Sequence, residues 1–190
     1  MTQADRERWD AKYRDRPVAV AGRADEWLIE TVTGVPPGRA LDLACGLGHN
    51  SIWLTQQGWQ VDAVDISTVG LALAQQAARA LGVSVNWIDA DLDDYRAARA
   101  DYNLILTFRF LDRIAVPRIV NESLRVGGLL VYETFLVTER ERSGSHPRSA
   151  AWTLQPGELN SIFGGVRCVR YEECRPADRD VARLMAIRDE

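Results

Sequence analysis

The sequence predicts an α/β fold: a seven-stranded, mainly parallel sheet with helices on both faces and a terminal antiparallel hairpin. Three observations predict it. Short apolar, β-branched runs alternate with helical patterns along most of the 190 residues, the order that builds βαβ units. The first such run, Arg39–Cys45, ends in glycines, as a strand-to-helix turn at a ligand site does. The last two runs, Arg167–Cys174 and Val181–Arg188, flank a polar turn, Arg175–Asp180, that suits an antiparallel hairpin.

Gln3–Arg14 is polar, with Trp9 and Tyr13 four apart and so on one helical face. Pro17 ends that pattern. Ala24–Thr33 predicts a second helix, stopped by Gly34-Val35-Pro36-Pro37-Gly38. After the first strand, a helix over Asn50–Gln57 ends at Gly58, a C′ glycine. Trp59–Asp65 alternates as the second strand. Ser67 stands where an N-cap belongs, and the helix behind it runs to Leu81, stopped by Gly82. Val83–Ile88 and Tyr102–Thr107 are the third and fourth strands. Val116–Arg125 is helical, and Gly127-Gly128 turns the chain into a fifth strand, Leu129–Phe135. Leu136–Gln155 breaks the rhythm: it is long, polar and rich in Arg and Ser, and such stretches in compact domains are often functional. Pro156–Phe163 suits a short helix with proline near its start. The expected layout is one domain over residues 1–190, with 1–38 as a helical cap, 39–190 as the core and 136–155 as a loop on the substrate side.

Composition narrows the function. At 46% hydrophobic and 26% charged residues, the chain has ordinary globular usage. A formal net charge of −4 argues against a nucleic-acid partner. Lys12 is the only lysine among 23 basic residues; GC-rich codon usage explains that bias without function, and arginine-rich anion binding is the alternative. No apolar run reaches the roughly 18–20 residues of a membrane span, and Met1–Arg6 is polar rather than a secretory leader. Cys45, Cys168 and Cys174 are too few, and odd in number, for a disulfide framework, which suits a reducing cytoplasm. His49 and His146 stand far apart without a CxxC partner, so no metal site is expected.

In open α/β sheets a ligand lies beyond the carboxyl ends of the strands. The first strand delivers Asp42-Leu43-Ala44-Cys45-Gly46-Leu47-Gly48-His49-Asn50 to that edge. Gly46 and Gly48 let backbone approach a ligand where a side chain would block it, and a helix N-terminus follows with free N–H groups. Asp65 closes the second strand 19 residues after Gly46, near the spacing of about 20 at which an acidic residue grips ribose hydroxyls. Dinucleotides and S-adenosylmethionine share this geometry. The dinucleotide pattern asks for a third small residue where Ser51 stands. Asp42 would repel a pyrophosphate and suits a ligand carrying an ammonium and a sulfonium.

The segment Leu41–Asn50 resembles motif I of the class I S-adenosylmethionine-dependent methyltransferases, in which an acidic and a small residue precede Cys/Ser-Gly-x-Gly. Val64-Asp65-Ile66-Ser67 resembles the family's ribose-binding strand end, and Asp89-Ala90-Asp91-Leu92 the stretch beside the adenine amino group. Tyr102–Thr107 resembles motif IV, and Leu124–Val131 the motif before strand five. The resemblance implies a Rossmann-like fold, S-adenosylmethionine as methyl donor and S-adenosylhomocysteine as product. It implies that Asp42, Ala44, Gly46 and Gly48 hold the amino-acid end of the cofactor. Asp65 would bind ribose, Ile66 would pack on the adenine face, Asp91 and Leu92 would face its edge, and Thr107 would line the passage to the methyl group. Three positions depart: Ala44 replaces the usual first glycine, with little expected effect, His49 stands where a third glycine is common, and Asn103 replaces the Asp of motif IV. Trp9–Tyr13 and Pro156–Leu159 are most similar to small bacterial members related to tellurite- and thiopurine-resistance methyltransferases.

Methyl transfer is an in-line displacement for which the cofactor brings the activated group, so the protein chiefly binds and orients. Catalytic residues are correspondingly unassigned, with three candidates. Arg109 follows the fourth strand; its competing reading is a surface arginine paired with Asp112. Glu133, with Thr134 beside it, either orients an acceptor or satisfies a buried group. His146 has the pKa of a general base, against a solvated loop histidine. Trp9 and Tyr13 read as a lid over the cofactor, with stapling of the first helix as the alternative. His49 reads as packing at the loop, Cys45 as a small buried residue, and Cys168 and Cys174 as sharing one strand face in the core. Thr107–Leu111 lacks the Asn/Asp-Pro-Pro-aromatic signature of enzymes that methylate base amines. The expected activity is methyl transfer to a small-molecule acceptor by a cytoplasmic monomer or homodimer, without nucleic-acid or membrane partners. A nicotinamide-dependent oxidoreductase and a catalytically silent cofactor-binding module are the alternatives. Arg140, Arg142 and Arg148 crowd the substrate-side loop and point to an anionic acceptor.

Overall fold

The computed structural model describes residues 2–16, 22–137, 152–176 and 179–189. His146, Arg140, Arg142 and Arg148 lie outside the described residues. Strands β1 (Arg39–Leu43), β2 (Gln60–Asp65), β3 (Asn86–Asp89), β4 (Tyr102–Phe108) and β5 (Leu124–Phe135) pair in parallel. The hairpin strands β6 (Arg167–Cys174) and β7 (Val181–Ile187) join antiparallel to them. The order across the seven-stranded sheet is β3-β2-β1-β4-β5-β7-β6. Chain order reverses at β1 and β4, so the two neighbouring carboxyl ends splay apart and leave a crevice there.

The central strands are apolar because both faces are covered. On one face, Trp27, Leu28 and Val32 of α2 (Glu26–Val32) and Leu54 of α3 (His49–Gln56) pack on Ala40, Ala63, Leu104, Leu106 and Val131. On the other, Val116, Ile119 and Val120 of α5 (Ala115–Ser123) and Leu159 of α6 (Leu159–Ile162) pack on Leu41, Leu43, Ile105 and Leu130. Alternation along β1 therefore turns Asp42 toward α3. At the amino edge, Asp62 accepts from Arg39, Tyr102 and Asn86, each at 2.7 Å, and ties four strands together.

Helix α1 (Gln3–Arg14) starts at a capping box: Asp5 N–H donates to Thr2 Oγ1, and Thr2 N–H donates to Asp5 Oδ2. Ser67 caps α4 (Thr68–Ala80) by accepting from Gly70 N–H at 3.0 Å.

Three expectations are corrected. β5 begins at Leu124, not Leu129: Leu124 pairs with Tyr102, and the chain bulges through Gly127 (φ +74°) before Leu129 pairs with Leu104. β3 covers only Asn86–Asp89. Cys168 and Cys174 do not share a core face. A bulge between Cys168 and Arg170 shifts the register, so the two sit opposite Ala186 and Val181, an odd number of residues apart. Cys168 is accordingly exposed.

Gly48 is the tightest of the turn glycines. Its φ is +70°, and a Cβ there would lie 2.4 Å from the Trp87 ring and 3.0 Å from Ala74. Gly48→Ala is expected to lower unfolding free energy by about 2–4 kcal/mol in urea titrations, from left-handed strain plus the clash.

Candidate active site

The site grows from the end of β1. Asp42 is only 2% exposed and accepts from Ser51 Oγ at 2.6 Å. Burial pushes its carboxyl up to about 7. Ala44, Gly46 and Gly48 are all left-handed, with φ of +57°, +57° and +70°. This tight path swings the loop over the strand end and starts α3. The family's usual first glycine thus has a conformational reason here, and Ala44 bears strain that glycine would not.

Asp65 fixes the loop from the end of β2. Its Oδ2 accepts from Gly46 N–H at 2.7 Å, and its Oδ1 from Ser67 N–H at 2.8 Å. Burial raises its pKa, and these backbone donors oppose the rise. A carboxylate has about four acceptor positions, so acceptor capacity remains for ligand hydroxyls.

Above the loop lies a cavity of about 410 Å³, within the usual range for small-molecule sites. Asp42, Ala44, Gly46, Asp65 and Ile66 line it from below, and Trp9 and Tyr13 of α1 from above. The two rings stack with centroids 5.7 Å apart. A Cβ on Gly46 would meet Tyr13 Oη at 2.9 Å, and one on Gly70 would meet its ring at 2.9 Å. α1 is pinned at two further points. Asp10 accepts from Ser67 Oγ at 2.5 Å and Val69 N–H at 3.2 Å, and Arg6 pairs with Asp89 at 2.6 Å. Lys12 lies 3.9 Å over the Trp9 ring, and Arg8 4.6 Å over Trp152.

Arg109 also lines this cavity. It adopts φ +58° at the end of β4, donates its N–H to Glu133 O at 2.8 Å, and pairs with Asp25 at 2.9 Å. The partner read from the sequence, Asp112, is occupied elsewhere: its Oδ1 accepts from Ile114 and Ala115 N–H at the start of α5. Asp25 further accepts from Asn50 Nδ2 at 3.0 Å, linking the approach to α2 with α3. His49 lines the cavity with its ring against Gly22, and burial lowers its pKa.

Other positions lie away from the lining. Gly48 is packed under Trp87. Leu92 is enclosed in the core, and Asp91 turns back to accept from Asp93 N–H at 2.9 Å, shaping the turn after β3. Thr107 is fully buried on the α5 side of the sheet, because its neighbours Leu106 and Phe108 take the other face.

Glu133 lies in a second cavity, of about 300 Å³, with Asp25, Trp27, Val181 and Arg183. Arg109, Phe135 and Arg179 line both cavities, so the two adjoin. Glu133 is 6% exposed, and its Oε2 accepts from Arg183 Nε at 2.7 Å. Burial raises its pKa against that ion pair.

Residues 40–127 match the family model for a methyltransferase domain. The match supports a class I S-adenosylmethionine-dependent methyltransferase. It is 30% identical over 156 residues to hemagglutinin 1 of Eikenella corrodens, covering 77% of this chain and 49% of that protein. It is 25% identical over 154 residues to the probable S-adenosyl-L-methionine-dependent methyltransferase TehB of Haemophilus influenzae, covering 77% and 52%. The chain thus spans about half the length of the curated relatives it matches. Among solved structures, magnesium protoporphyrin IX methyltransferase of Synechocystis with bound S-adenosylhomocysteine superposes with a TM-score of 0.74 at 19% identity, covering 97% of this chain and 98% of that one.

The family's cofactor is S-adenosylmethionine, and the residues present fit it. A buried carboxylate with one hydrogen-bond partner, Asp42, suits an ammonium. Asp65 has acceptor capacity for hydroxyls, and Ile66 offers an apolar face. This methyltransferase set replaces the nicotinamide alternative, for which Asp42 has no use. Sequence reasoning missed Asp10, whose signal was its spacing three before Tyr13 on one helical face. It also missed Arg183 and Asp25, whose relevance depends on strand register and on the chain path before α2.

Two outcomes follow. Asp65→Ala should weaken S-adenosylhomocysteine binding by well over tenfold in calorimetry, since charge-assisted hydrogen bonds of about 1.5–3 kcal/mol are lost and the loop loses its tether. Asp42 would bind an ammonium only when ionised. Affinity should therefore fall as pH drops below about 7, by at most about tenfold per pH unit, and Asp42→Asn should flatten that profile.

Proposed function

We propose that this protein transfers a methyl group from S-adenosylmethionine to a small-molecule acceptor. The observation that carries the reading is the pair of adjoining cavities at the carboxyl edge of the sheet. One is built around Asp42 and Asp65, and the other, of about 300 Å³, around Glu133. A space of that size suits a small acceptor.

When bound, S-adenosylmethionine supplies a methyl group activated by its sulfonium. The chain's own residues supply the rest. Asp42 holds the ammonium, Asp65 holds ribose hydroxyls, and Ile66 packs on the adenine. Trp9 and Tyr13 cover the cavity and exclude water, which strengthens each polar contact beneath them. Phe135 and Arg109 border the passage between the cavities. Glu133 faces the acceptor side with a carboxyl poised by burial and held in place by Arg183. It orients the acceptor and takes up its proton where the nucleophile is protic.

The test is transfer of labelled methyl to a panel of thiols, phenols, amines and carboxylates, with ribosomal RNA as a macromolecular comparator. Turnover of at least one small acceptor is expected, and Glu133→Gln should lower kcat by about 10²-fold or more while shifting its pH profile. Methylation of RNA with none of the small acceptors would overturn the acceptor class. Absence of S-adenosylhomocysteine binding would overturn the whole reading.

A further inference from the structure

We infer that Phe108, Phe110 and Phe135 form an aromatic collar that holds the cofactor's sulfonium and so tells the charged methyl donor from its neutral product. The inference rests on the methyl-transfer reading and assigns three further residues to that site. The chain has four phenylalanines, and three of them line the larger cavity. The fourth, Phe163, packs on Tyr132 in the core, with ring centroids 5.5 Å apart. Phe108 and Phe110 are each 7% exposed, and they come to the cavity from opposite faces of the sheet. Phe108 belongs to the apolar cluster that packs against α2 and α3, and Phe110 to the one against α5. Regular strand geometry would put residues two apart on one face. The left-handed backbone of Arg109 between them, at φ +58°, breaks that alternation. A non-glycine residue keeps such a conformation only where its surroundings enforce it. Here Arg109 N–H donates to Glu133 O at 2.8 Å, and Phe110 O accepts from the buried Tyr132 hydroxyl at 2.8 Å. Half-buried Phe135, at the end of β5, is the third ring.

The collar stands where the reaction puts the sulfonium. Phe135 and Arg109 line both cavities, so a methyl group that reaches an acceptor in the second cavity faces their junction. Arg109 pairs with Asp25 at 2.9 Å, so its charge there is answered by a carboxylate. Trp9 already carries a cation, with Lys12 3.9 Å over its ring. Phenylalanine suits a sulfonium in two ways. The π face of its ring is negative and attracts a cation, most strongly where water is excluded. The ring also carries no lone pair that could capture the methyl group itself. Transfer then removes the charge. The acceptor's lone pair forms the bond to the methyl carbon, the broken sulfur–carbon pair returns to sulfur, and any proton on the acceptor passes to Glu133. The product is a neutral thioether, for which the rings have no electrostatic preference. One device thereby favours both donor binding and product release.

The test titrates three ligands into the full chain by calorimetry. They are S-adenosylmethionine, sinefungin, which carries an ammonium in place of the sulfonium methyl, and neutral S-adenosylhomocysteine. The quantity read is the affinity of each cation relative to the thioether. A general loss of stability cancels in that ratio, because all three ligands meet the same folded protein. Phe135→Leu should lower both ratios at least about threefold, the scale of one cation–π contact. Phe135→Tyr keeps the π face and should hold them within about twofold of the native values. Phe110→Leu repeats the comparison at a second ring, with Tm recorded for each variant. Ratios unchanged in both leucine variants, equal weakening of all three ligands, or a tyrosine variant that behaves like leucine would overturn the collar and leave the cofactor reading intact. Absence of heat with all three ligands in the native protein would overturn the methyl-transfer reading, and the collar with it.

Discussion

Asp65 is the residue on which the site depends. One buried carboxylate holds the turn after β1 through Gly46 N–H and the start of α4 through Ser67 N–H. Removing such a group leaves buried donors unpaired, which costs far more than one ordinary hydrogen bond. The dependence extends outward. Ser67 donates its hydroxyl hydrogen bond to Asp10, so α1 is tied into the same cluster. α1 has no buried residue of its own. Its hold on the molecule comes from these polar anchors and from Tyr13 over Gly46 and Gly70, not from an apolar stripe.

The sheet and the floor of the site were legible because their signals are local. Strand periodicity, the glycine turn and the N-cap at Ser67 all lie within a few residues of one another. Gln3–Arg14 was read at both ends. The floor residues Asp42, Gly46, Asp65 and Ile66 sit on strand ends, where topology alone brings them together. What stayed hidden depends on distant pairing. Asp25 meets Arg109 across 84 positions, and Glu133 meets Arg183 across 50. The fifth strand was misjudged for a related reason: the Gly127-Gly128 pair marks a bulge inside a strand as readily as a turn before one. Ala44 shows the limit of motif matching, because a small residue satisfies the pattern while its backbone still requires a conformation that favours glycine.

Charges of alternating sign continue beyond the second cavity. Glu133 pairs with Arg183, Arg183 with Glu172, Glu172 with Arg170 and Arg170 with Glu30 on α2. Arg170 and Arg183 also lie 4.5 and 5.2 Å from the centre of the Trp27 ring. Glu133 therefore does not stand on β5 alone. Its orientation is braced by two neighbouring strands and a helix, the sort of support that holds a functional side chain to a narrow range of positions.

The bulge between Cys168 and Arg170 reaches further than the cysteines it separates. β6 is an outer strand of the sheet, and an open edge invites pairing with another chain. The extra residue interrupts the regular hydrogen-bonding row, and Arg167, Arg170, Glu172 and Glu173 dot the same strand with charge. The opposite border, β3, offers only four residues. Both margins of the sheet are thus poor templates for a foreign strand, which allows a long apolar interior to coexist with resistance to edge-to-edge aggregation.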